Sequence, residues 1–361
     1  KQKTAYEIPL RLVGSEMCIR DRSKTIITFI LSSILFTATF SKANAEKLLA
    51  AIADWTGGEI SCQVAVSILE DEMGYEIDRI VFASGTGLWE AIAAGDIDFA
   101  CESWPSYAEA DEVMLNGDLI HGGEVKMTYS GDGSVKLLGT VGITGMSDYY
   151  VPKYWADANP DFSGVADLNN YKSDFATMES GDKGRLIGCP VAGWNCHDQK
   201  RLDLLGLDFV ADELGTETAA LAEAQGMYDR GEPFLMYLWE PHWFFGVNDL
   251  VGVKLAPNQS CDTFTEANNW ETCGADYWPA TGWAVDYPMN YGNPETFAKP
   301  ENQLALEFFG KMALSNADQA AMLVQVREGG ELNDVVAEWK ANNKSTWEKW
   351  LPTSVEGLSG S

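Results

Sequence analysis

The chain has 361 residues, with 54 Asp and Glu against 25 Lys and Arg, and a formal net charge of −29 at pH 7. So acidic a surface repels phosphate backbones and anionic lipid head groups, which argues against a nucleic-acid-binding protein. Hydrophobic residues form 46% of the chain. This content excludes a disordered acidic tail, and the length of the chain is enough for two lobes.

The first 45 residues are predicted not to belong to the working protein. Residues 23–45 combine a lysine, a short apolar run and the small-residue sequence ANA, which is the pattern of a signal peptide cleaved after Ala45. The run is short and contains several Ser and Thr, so a membrane span or a buried core helix fits less well. Residues 1–22 include EMCIRDR, which resembles a translated sequencing adapter, and we interpret them as an artefact. The mature chain is therefore expected in the periplasm.

Short apolar runs then alternate with stretches of helical spacing. In chain order, KLLAAIAD predicts a strand, ISCQVAVSILEDEMG a helix, YEIDRIVFAS a strand, GLWEAIAAG a helix and IDFACES a strand. This β-α-β-α-β order predicts an α/β fold with parallel-type sheets flanked by helices.

The same order returns after a polar, glycine-rich middle at residues 117–145. The predicted elements are GRLIGCP, HDQKRLDLLG, DFVADE, TETAALAEAQGMYDRG and PFLMYLWE, followed by three helices, of which the second begins with a capping box at Ser315 and Asp318. We therefore predict two lobes with a ligand cleft between them. Residues 46–143 form lobe 1, residues 144–248 form lobe 2, and residues 249–361 return to lobe 1.

Six cysteines remain after the leader, and an even number behind an export signal indicates disulfides. Six cysteines allow fifteen connectivities, so the pairing stays open at this point. The local pairs are the natural candidates, and the two remaining cysteines would pair by default. The candidate pairs are Cys189–Cys196, Cys261–Cys273 and Cys62–Cys101. The sequence contains no C-x-x-C and its three histidines are far apart, so neither a metal site nor a cofactor is predicted.

A tryptophan lies at the end of four predicted strands, where ligands bind in open α/β sheets. Indole is the strongest side-chain π face for a cation, and a quaternary ammonium cannot donate ordinary hydrogen bonds. A single tryptophan at a strand end is as often a core residue, but four in matching positions favour a shared cage for a small methylated ammonium. The four are Trp55, Trp104, Trp194 and Trp239.

Further polar groups follow the same strands. Gly57 and Gly58 open the first predicted helix, whose free N–H groups attract an anion, and His242 could donate to a carboxylate. With a cation cage these groups would suit a zwitterion, although a plain turn and a structural histidine are equally good readings of each alone. Three acidic residues could instead face a ligand hydroxyl or a protonated oxide: Asp54, Glu102 and Glu240.

At these residues the chain resembles the substrate-binding proteins of glycine betaine/choline-type ABC importers. The segments that carry the resemblance are SGTGLWEAIAAGDIDFACESWPSYAEA, GRLIGCPVAGWNCHDQKRL and YDRGEPFLMYLWEPHWFFGVNDLVGVKL. The resemblance implies a periplasmic binding protein fold of type II, clamp closure on the ligand, and delivery to a transmembrane permease. It implies no catalysis and no nucleic acid, and we expect a monomer.

Motif by motif, the resemblance assigns the cage to Trp104, Trp194 and Trp239, with Trp55 at the position after the first strand. It assigns a carboxylate contact to His242 and, less securely, to the amides of Gly57 and Gly58. CPVAGW and ADYWPATGWAVDYPMNYG are most similar to the trimethylamine N-oxide binders of the group. Glycine betaine and trimethylamine N-oxide both stay open, with choline or dimethylsulfoniopropionate as alternatives.

Two other classes of protein are alternatives to a binding receptor. A secreted thiol enzyme could use the neighbouring Cys196 and His197, although no G-x-S-x-G or P-loop accompanies them. A lectin-like interaction module could use the many aromatic residues, but it would spread them over an open face.

Overall fold

The computed structural model describes residues 47–104, 113–115, 118–121, 133–190, 194, 196–255, 282–283 and 285–353. The predicted artefact and signal peptide, and the candidate pair Cys261–Cys273, lie outside these ranges. Within them, no helix is both long enough and apolar enough to cross a membrane.

Strands and helices alternate over residues 48–103 and 184–240, and helices dominate the end of the chain. The described strands are β1 Leu48–Ile52, β2 Ile77–Val81, β3 Phe99–Ser103, β4 Val113–Leu115, β5 Asp118–His121, β6 Lys136–Thr140, β7 Met146–Pro152, β8 Gly184–Ile187, β9 Phe209–Asp212, β10 Leu235–Glu240, β11 Leu250–Gly252 and β12 Met289–Gly292. The described α-helices are α1 Thr56–Asp71, α2 Thr86–Ala94, α3 Lys153–Ala158, α4 Asp198–Leu204, α5 Glu217–Arg230, α6 Pro294–Ala298, α7 Gln303–Lys311, α8 Asn316–Arg327, α9 Leu332–Asn342 and α10 Lys344–Trp347.

Two five-stranded sheets repeat one plan. The first sheet has the order β2-β1-β3-β12-β6 and the second the order β11-β7-β10-β8-β9. In each, three strands from a β-α-β-α-β unit pair in parallel; a fourth strand, β12 or β7, runs antiparallel to them, and it pairs antiparallel with a fifth strand, β6 or β11, at the edge. The predicted α/β fold of two sheets is confirmed.

Both sheets are mixed, because two strands with antiparallel pairing join the three parallel strands of each. The added strands β6, β7, β11 and β12 come from segments to which the sequence analysis assigned no strand. Their pairing partners are far away in sequence, and β12 follows the long segment after β11, so local periodicity could not predict them. Because β11 pairs with β7, the second sheet also extends beyond residue 248.

Local chemistry explains where the helices begin. The Ser315 hydroxyl accepts from the Asp318 amide at 3.1 Å and caps α8, as predicted. Thr216 caps α5 in the same way, through the Ala219 amide at 3.1 Å. The residue before α1, Trp55, makes no side-chain cap. The first amide of α1 donates instead to the carboxylate of Glu217, at the start of α5 beside the second sheet.

Each sheet has its own apolar core. Helix α1 packs between the first sheet and the C-terminal helices α8 and α9, so the end of the chain completes the first core. The second core surrounds β7, β8 and β10 and extends across to Trp55 at the end of β1. Where the chain crosses between the sheets, Gly145 and Asp286 exchange two backbone hydrogen bonds of 2.8 Å.

Two disulfides lie among the described residues, Cys62–Cys101 and Cys189–Cys196. The first joins α1 to β3, and the second joins the end of the β8 segment to the residues before α4. Loop-closure entropy over 39 residues makes the first worth about 4 kcal/mol. Both are pairs that the sequence analysis favoured.

Candidate ligand site at the strand ends

Three of the four predicted tryptophans lie in one cluster. The ring centroids of Trp55 and Trp194 are 5.5 Å apart at 76°, and those of Trp194 and Trp239 are 5.6 Å apart at 83°. Trp55 ends the first β-α turn of the first sheet, whereas Trp239 lies in β10 of the second. The near-perpendicular contacts make the three indoles adjacent walls and not a stack. All three are more than nine-tenths buried.

Trp104 joins the same neighbourhood from the end of β3. Its ring is partly buried against the cluster. It also lies on the crossover between the sheets, because a Cβ added to Gly145 would come within 2.2 Å of its Cζ3 atom. Only a glycine leaves room for this ring at the crossover.

Glu102 holds two of these rings. Its Oε1 accepts from the indole N–H of Trp55 at 3.0 Å and of Trp104 at 3.2 Å, while its Oε2 accepts from Gln319 at 2.8 Å. The carboxylate is fully buried, and burial raises its pKa, whereas hydrogen bonds from Ser61, both indoles and Gln319 lower it. Glu102 therefore orients the rings, with its oxygens already occupied by protein donors.

Asp54 orients a third ring across the two sheets. The Trp194 indole donates to its Oδ1 at 3.0 Å, although the two residues are 140 positions apart. Asp54 follows β1 in the first sheet, and Trp194 follows β8 in the second. The cage residues of the two sheets are thus joined by a charge-assisted hydrogen bond.

A second bridge between the sheets involves a residue that the sequence analysis did not consider, Glu217 at the start of α5. Its Oε2 accepts from the Thr56 amide at 2.8 Å and from the Thr56 hydroxyl at 3.0 Å. Its Oε1 lies 3.1 Å from Nε2 of His242. The Phe244 amide donates to His242 Nδ1 at 3.1 Å, so the ring proton is on Nε2 and is donated to Glu217.

The groups predicted to contact a ligand carboxylate, His242 and the two glycines, have other roles in this structure. Both ring nitrogens of His242 have protein partners, and the ring packs 5.0 Å from Trp239. Gly58 is required for space: a Cβ there would lie 2.4 Å from the Ala53 Cβ and 2.8 Å from the Trp55 ring. Gly57 is buried against Glu102, Trp55 and Gln319. In this arrangement the two glycines form the surface against which the Trp55 ring packs.

Glu240 is exposed at the end of β10. Its carboxylate is hydrogen-bonded to Tyr150, and the pKa of that hydroxyl is raised first by burial and then by the charge of Glu240. Glu240 thus contacts Tyr150, whereas Glu102 and Asp54 accept hydrogen bonds from the indoles of the predicted cage.

Sequence reasoning missed further rings beside the cage. Trp283 lies 5.4 Å from both Tyr237 and Tyr149, and the Arg201 guanidinium stacks 3.6 Å over it. Tyr237 in turn lies 5.7 Å from Trp239. Trp283 belongs to ADYWPATGWAVDYPMNYG, the stretch that is similar to the trimethylamine N-oxide binders, so the sequence did contain a signal for it.

Gln319 and Ser61 were also missed, because both lie inside helices. A usable signal exists for Gln319: it shares the buried face of α8 with Met322 and Leu323, three and four residues later. A polar side chain on an apolar helix face needs a partner, and here the partner is Glu102.

The thiol-enzyme alternative is wrong. Cys196 is bonded to Cys189, so no free thiol is next to His197. A sulfur in a disulfide cannot supply the thiolate that nucleophilic catalysis requires.

Comparisons with known proteins identify the family of the chain. The family model of the substrate-binding domain of ABC-type glycine betaine transport systems matches residues 47–342. The trimethylamine N-oxide-binding protein of Pelagibacter ubique (strain HTCC1062) is 23% identical over 323 residues, which cover 88% of this chain and 95% of that protein. The glycine betaine/proline betaine-binding periplasmic protein of Escherichia coli (strain K12) is 22% identical over 346 residues, which cover 88% and 97%.

Solved structures share the fold. The glycine betaine/L-proline-binding protein of an ABC transporter from Borrelia burgdorferi superposes with a TM-score of 0.64 at 17% identity, covering 87% of this chain and 99% of that one. The resemblance found in the sequence is confirmed, because the family model matches most of the chain. This chain belongs to the family of substrate-binding domains of ABC-type glycine betaine transport systems.

Proposed function

We propose that the chain is the exported receptor of an ABC importer, and that it captures a small methylated ammonium compound between its two lobes. One observation carries the proposal: the Trp55 ring from the first sheet lies 5.5 Å from the Trp194 ring of the second, which in turn lies 5.6 Å from the Trp239 ring. Membership of the family supports it, as does the similarity to a trimethylamine N-oxide-binding protein and to a glycine betaine/proline betaine-binding protein.

Aromatic walls suit such a ligand for a physical reason. A quaternary ammonium has no N–H to donate and loses its water at low cost, so π faces stabilise it better than a carboxylate contact does. At about 2 kcal/mol per desolvated ring, four rings supply up to roughly 8 kcal/mol before ordering costs. Micromolar binding needs about 8 kcal/mol.

The carboxylates behind the rings strengthen the attraction. Glu102 and Asp54 accept from three cage indoles, and a hydrogen bond to an anion pushes electron density into the donor ring. Their negative charge also favours a cation inside the cage. We therefore assign Glu102 and Asp54 to orienting and polarising the cage.

The lobes follow the two sheets. We propose that residues 46–143 and the C-terminal part form lobe 1, that residues 144–248 together with β11 form lobe 2, and that closure brings the four rings around the ligand. The chain carries no P-loop motif, so the energy for transport comes from a separate ABC permease complex. The receptor acts by binding and not by catalysis, as a monomer in the periplasm after cleavage at Ala45.

Isothermal titration with glycine betaine, choline, trimethylamine N-oxide and dimethylsulfoniopropionate tests the proposal. We expect micromolar or tighter binding of at least one of them. Trp239→Ala should weaken that binding about thirtyfold, because it removes one desolvated ring. Trp339→Ala is the matched control, since Trp339 is equally buried but lies on α9, stacked on Trp350. No binding of any of the four compounds would overturn the proposal, and so would equal losses in the two variants.

A further inference from the structure

We infer that Glu217 is a resident carboxylate that fills the anion-binding position beside the tryptophan cage, and that it selects carboxylate-free methylated ammonium ligands over glycine betaine. The inference rests on the proposed function and names the ligand class within it. Its basis is the pair of donors that the Glu217 carboxylate already engages.

These donors are the ones that a ligand carboxylate would use. The Thr56 amide is the first N–H of α1, directly after the cage residue Trp55, and a helix N-terminus attracts negative charge. The Nε2–H of His242 lies next to Trp239. Both point at one carboxylate, with distances of 2.8 and 3.1 Å to Glu217 oxygens.

Glu217 satisfies these donors in a buried setting. The Glu217 residue is 5% exposed and His242 is 6% exposed, so no bulk water competes for the bonds. A ligand carboxylate could reach these donors only by displacing Glu217, which would leave that carboxylate buried without its partners. Leaving a buried charge unpaired is costly.

Repulsion between like charges also disfavours a ligand carboxylate at this position. Glu59 lies in the first turn of α1, and Asp54 lies two residues before that helix. Burial raises the pKa of Glu59, and the neighbouring carboxylates of Glu217 and Asp54 raise it further. An anionic ligand group would add one more negative charge to this group of carboxylates, whereas the cationic head alone meets only attraction.

The test compares ligands that share a cationic head and differ in the other end. Isothermal titration of the native chain uses glycine betaine, choline, trimethylamine N-oxide and tetramethylammonium. We expect glycine betaine to bind at least about tenfold more weakly than the best carboxylate-free ligand, because it cannot use either donor. Equal or tighter binding of glycine betaine would overturn the inference and leave the proposed function standing. No binding of any of the four would overturn the function itself.

Variants of Glu217 give an independent measurement. Glu217→Ala frees the Thr56 amide and the His242 N–H, and Glu217→Gln removes the charge at nearly constant size. We expect both to shift the affinity ratio toward glycine betaine, by about tenfold in the alanine variant. Glu223→Gln on the same helix is the matched control, because Glu223 is in a half-exposed ion pair with Arg185. A ratio that stays unchanged in both Glu217 variants, with circular dichroism showing folded protein, would reduce Glu217 to a structural contact and overturn the inference.

Discussion

The indole nitrogen of Trp194 lies 3.0 Å from the Asp54 carboxylate, and this hydrogen bond joins a cage residue of the second sheet to the end of β1 in the first. In the proposed receptor, this side chain couples ligand contact to the approach of the lobes. Glu102 differs, because both indoles that it holds belong to the first sheet. Glu102 therefore orients two indoles of the first sheet, and Asp54 binds an indole of the second sheet to the first.

Asp54→Asn should weaken ligand binding by roughly tenfold or more, because a charge-assisted bond worth about 1.5–3 kcal/mol becomes a neutral one. Titration calorimetry measures the affinity, and small-angle scattering measures whether the ligand still closes the clamp. Asp157→Asn is the control, since Asp157 is in an exposed ion pair with Lys153. Equal affinities in Asp54→Asn and the native chain would show that the charged hydrogen bond between Asp54 and Trp194 does not contribute to ligand binding.

Glu102→Gln should lower the free energy of unfolding by about 1–3 kcal/mol and weaken ligand binding in parallel. The new amide NH₂ must face either the two indole N–H groups or the Gln319 amide, all of which are donors, so at least one buried donor loses its acceptor. Urea unfolding gives the stability and titration gives the affinity.

Glu307→Gln serves as the reference for the Glu102 variant, because Glu307 is half exposed and paired with Lys311. If Glu102→Gln and Glu307→Gln have the same stability, the buried network around Glu102 has no net energetic role.

Gly58→Ala should destabilise the protein by about 1–3 kcal/mol through overpacking, because its Cβ would fall 2.4 Å from the Ala53 Cβ and 2.8 Å from the Trp55 ring. Displacement of that ring should also reduce ligand affinity. Gly87→Ala in α2 meets nothing within 4 Å and should leave stability unchanged or slightly higher. Thermal unfolding of both variants decides the matter, and a Gly58→Ala protein as stable as Gly87→Ala would contradict the close packing.

Asp148 should make the protein less stable at pH 7 than at pH 4–5. Burial raises the pKa of this carboxyl from 3.8 to about 6, so above pH 6 both the folded and unfolded states are ionised and the folded state carries the cost of a buried charge. As pH falls from 6 to about 4, the folded state takes up the proton first and that cost disappears.

Asp148→Asn tests this assignment. It should gain up to about 2 kcal/mol relative to the native chain at pH 7 and much less at pH 4.5, in urea unfolding at both values. A variant whose stability difference from the native chain is the same at both pH values would show that Asp148 titrates normally in the folded protein.

Sequence patterns predicted the elements of the fold that depend on local interactions. The α-helices of seven or more residues and the three parallel strands of each sheet follow from apolar runs such as LLAAI in β1 and from caps such as Ser315. The four tryptophans could also be named, because the carboxyl ends of parallel strands share one edge of a sheet. The antiparallel strands could not be placed, since β12 pairs with residues far away in the chain.

The polar half of the site was decided by tertiary structure alone. Nothing near residue 217 in the sequence indicates that its carboxylate reaches Thr56, 161 positions earlier, and takes the donors first attributed to a ligand. The amino-acid order determined which residue types stand at the strand ends, since period and spacing are properties of neighbours in the chain. Only folding determined which donor meets which acceptor, because burial forces each polar group to find a partner wherever the packed chain provides one.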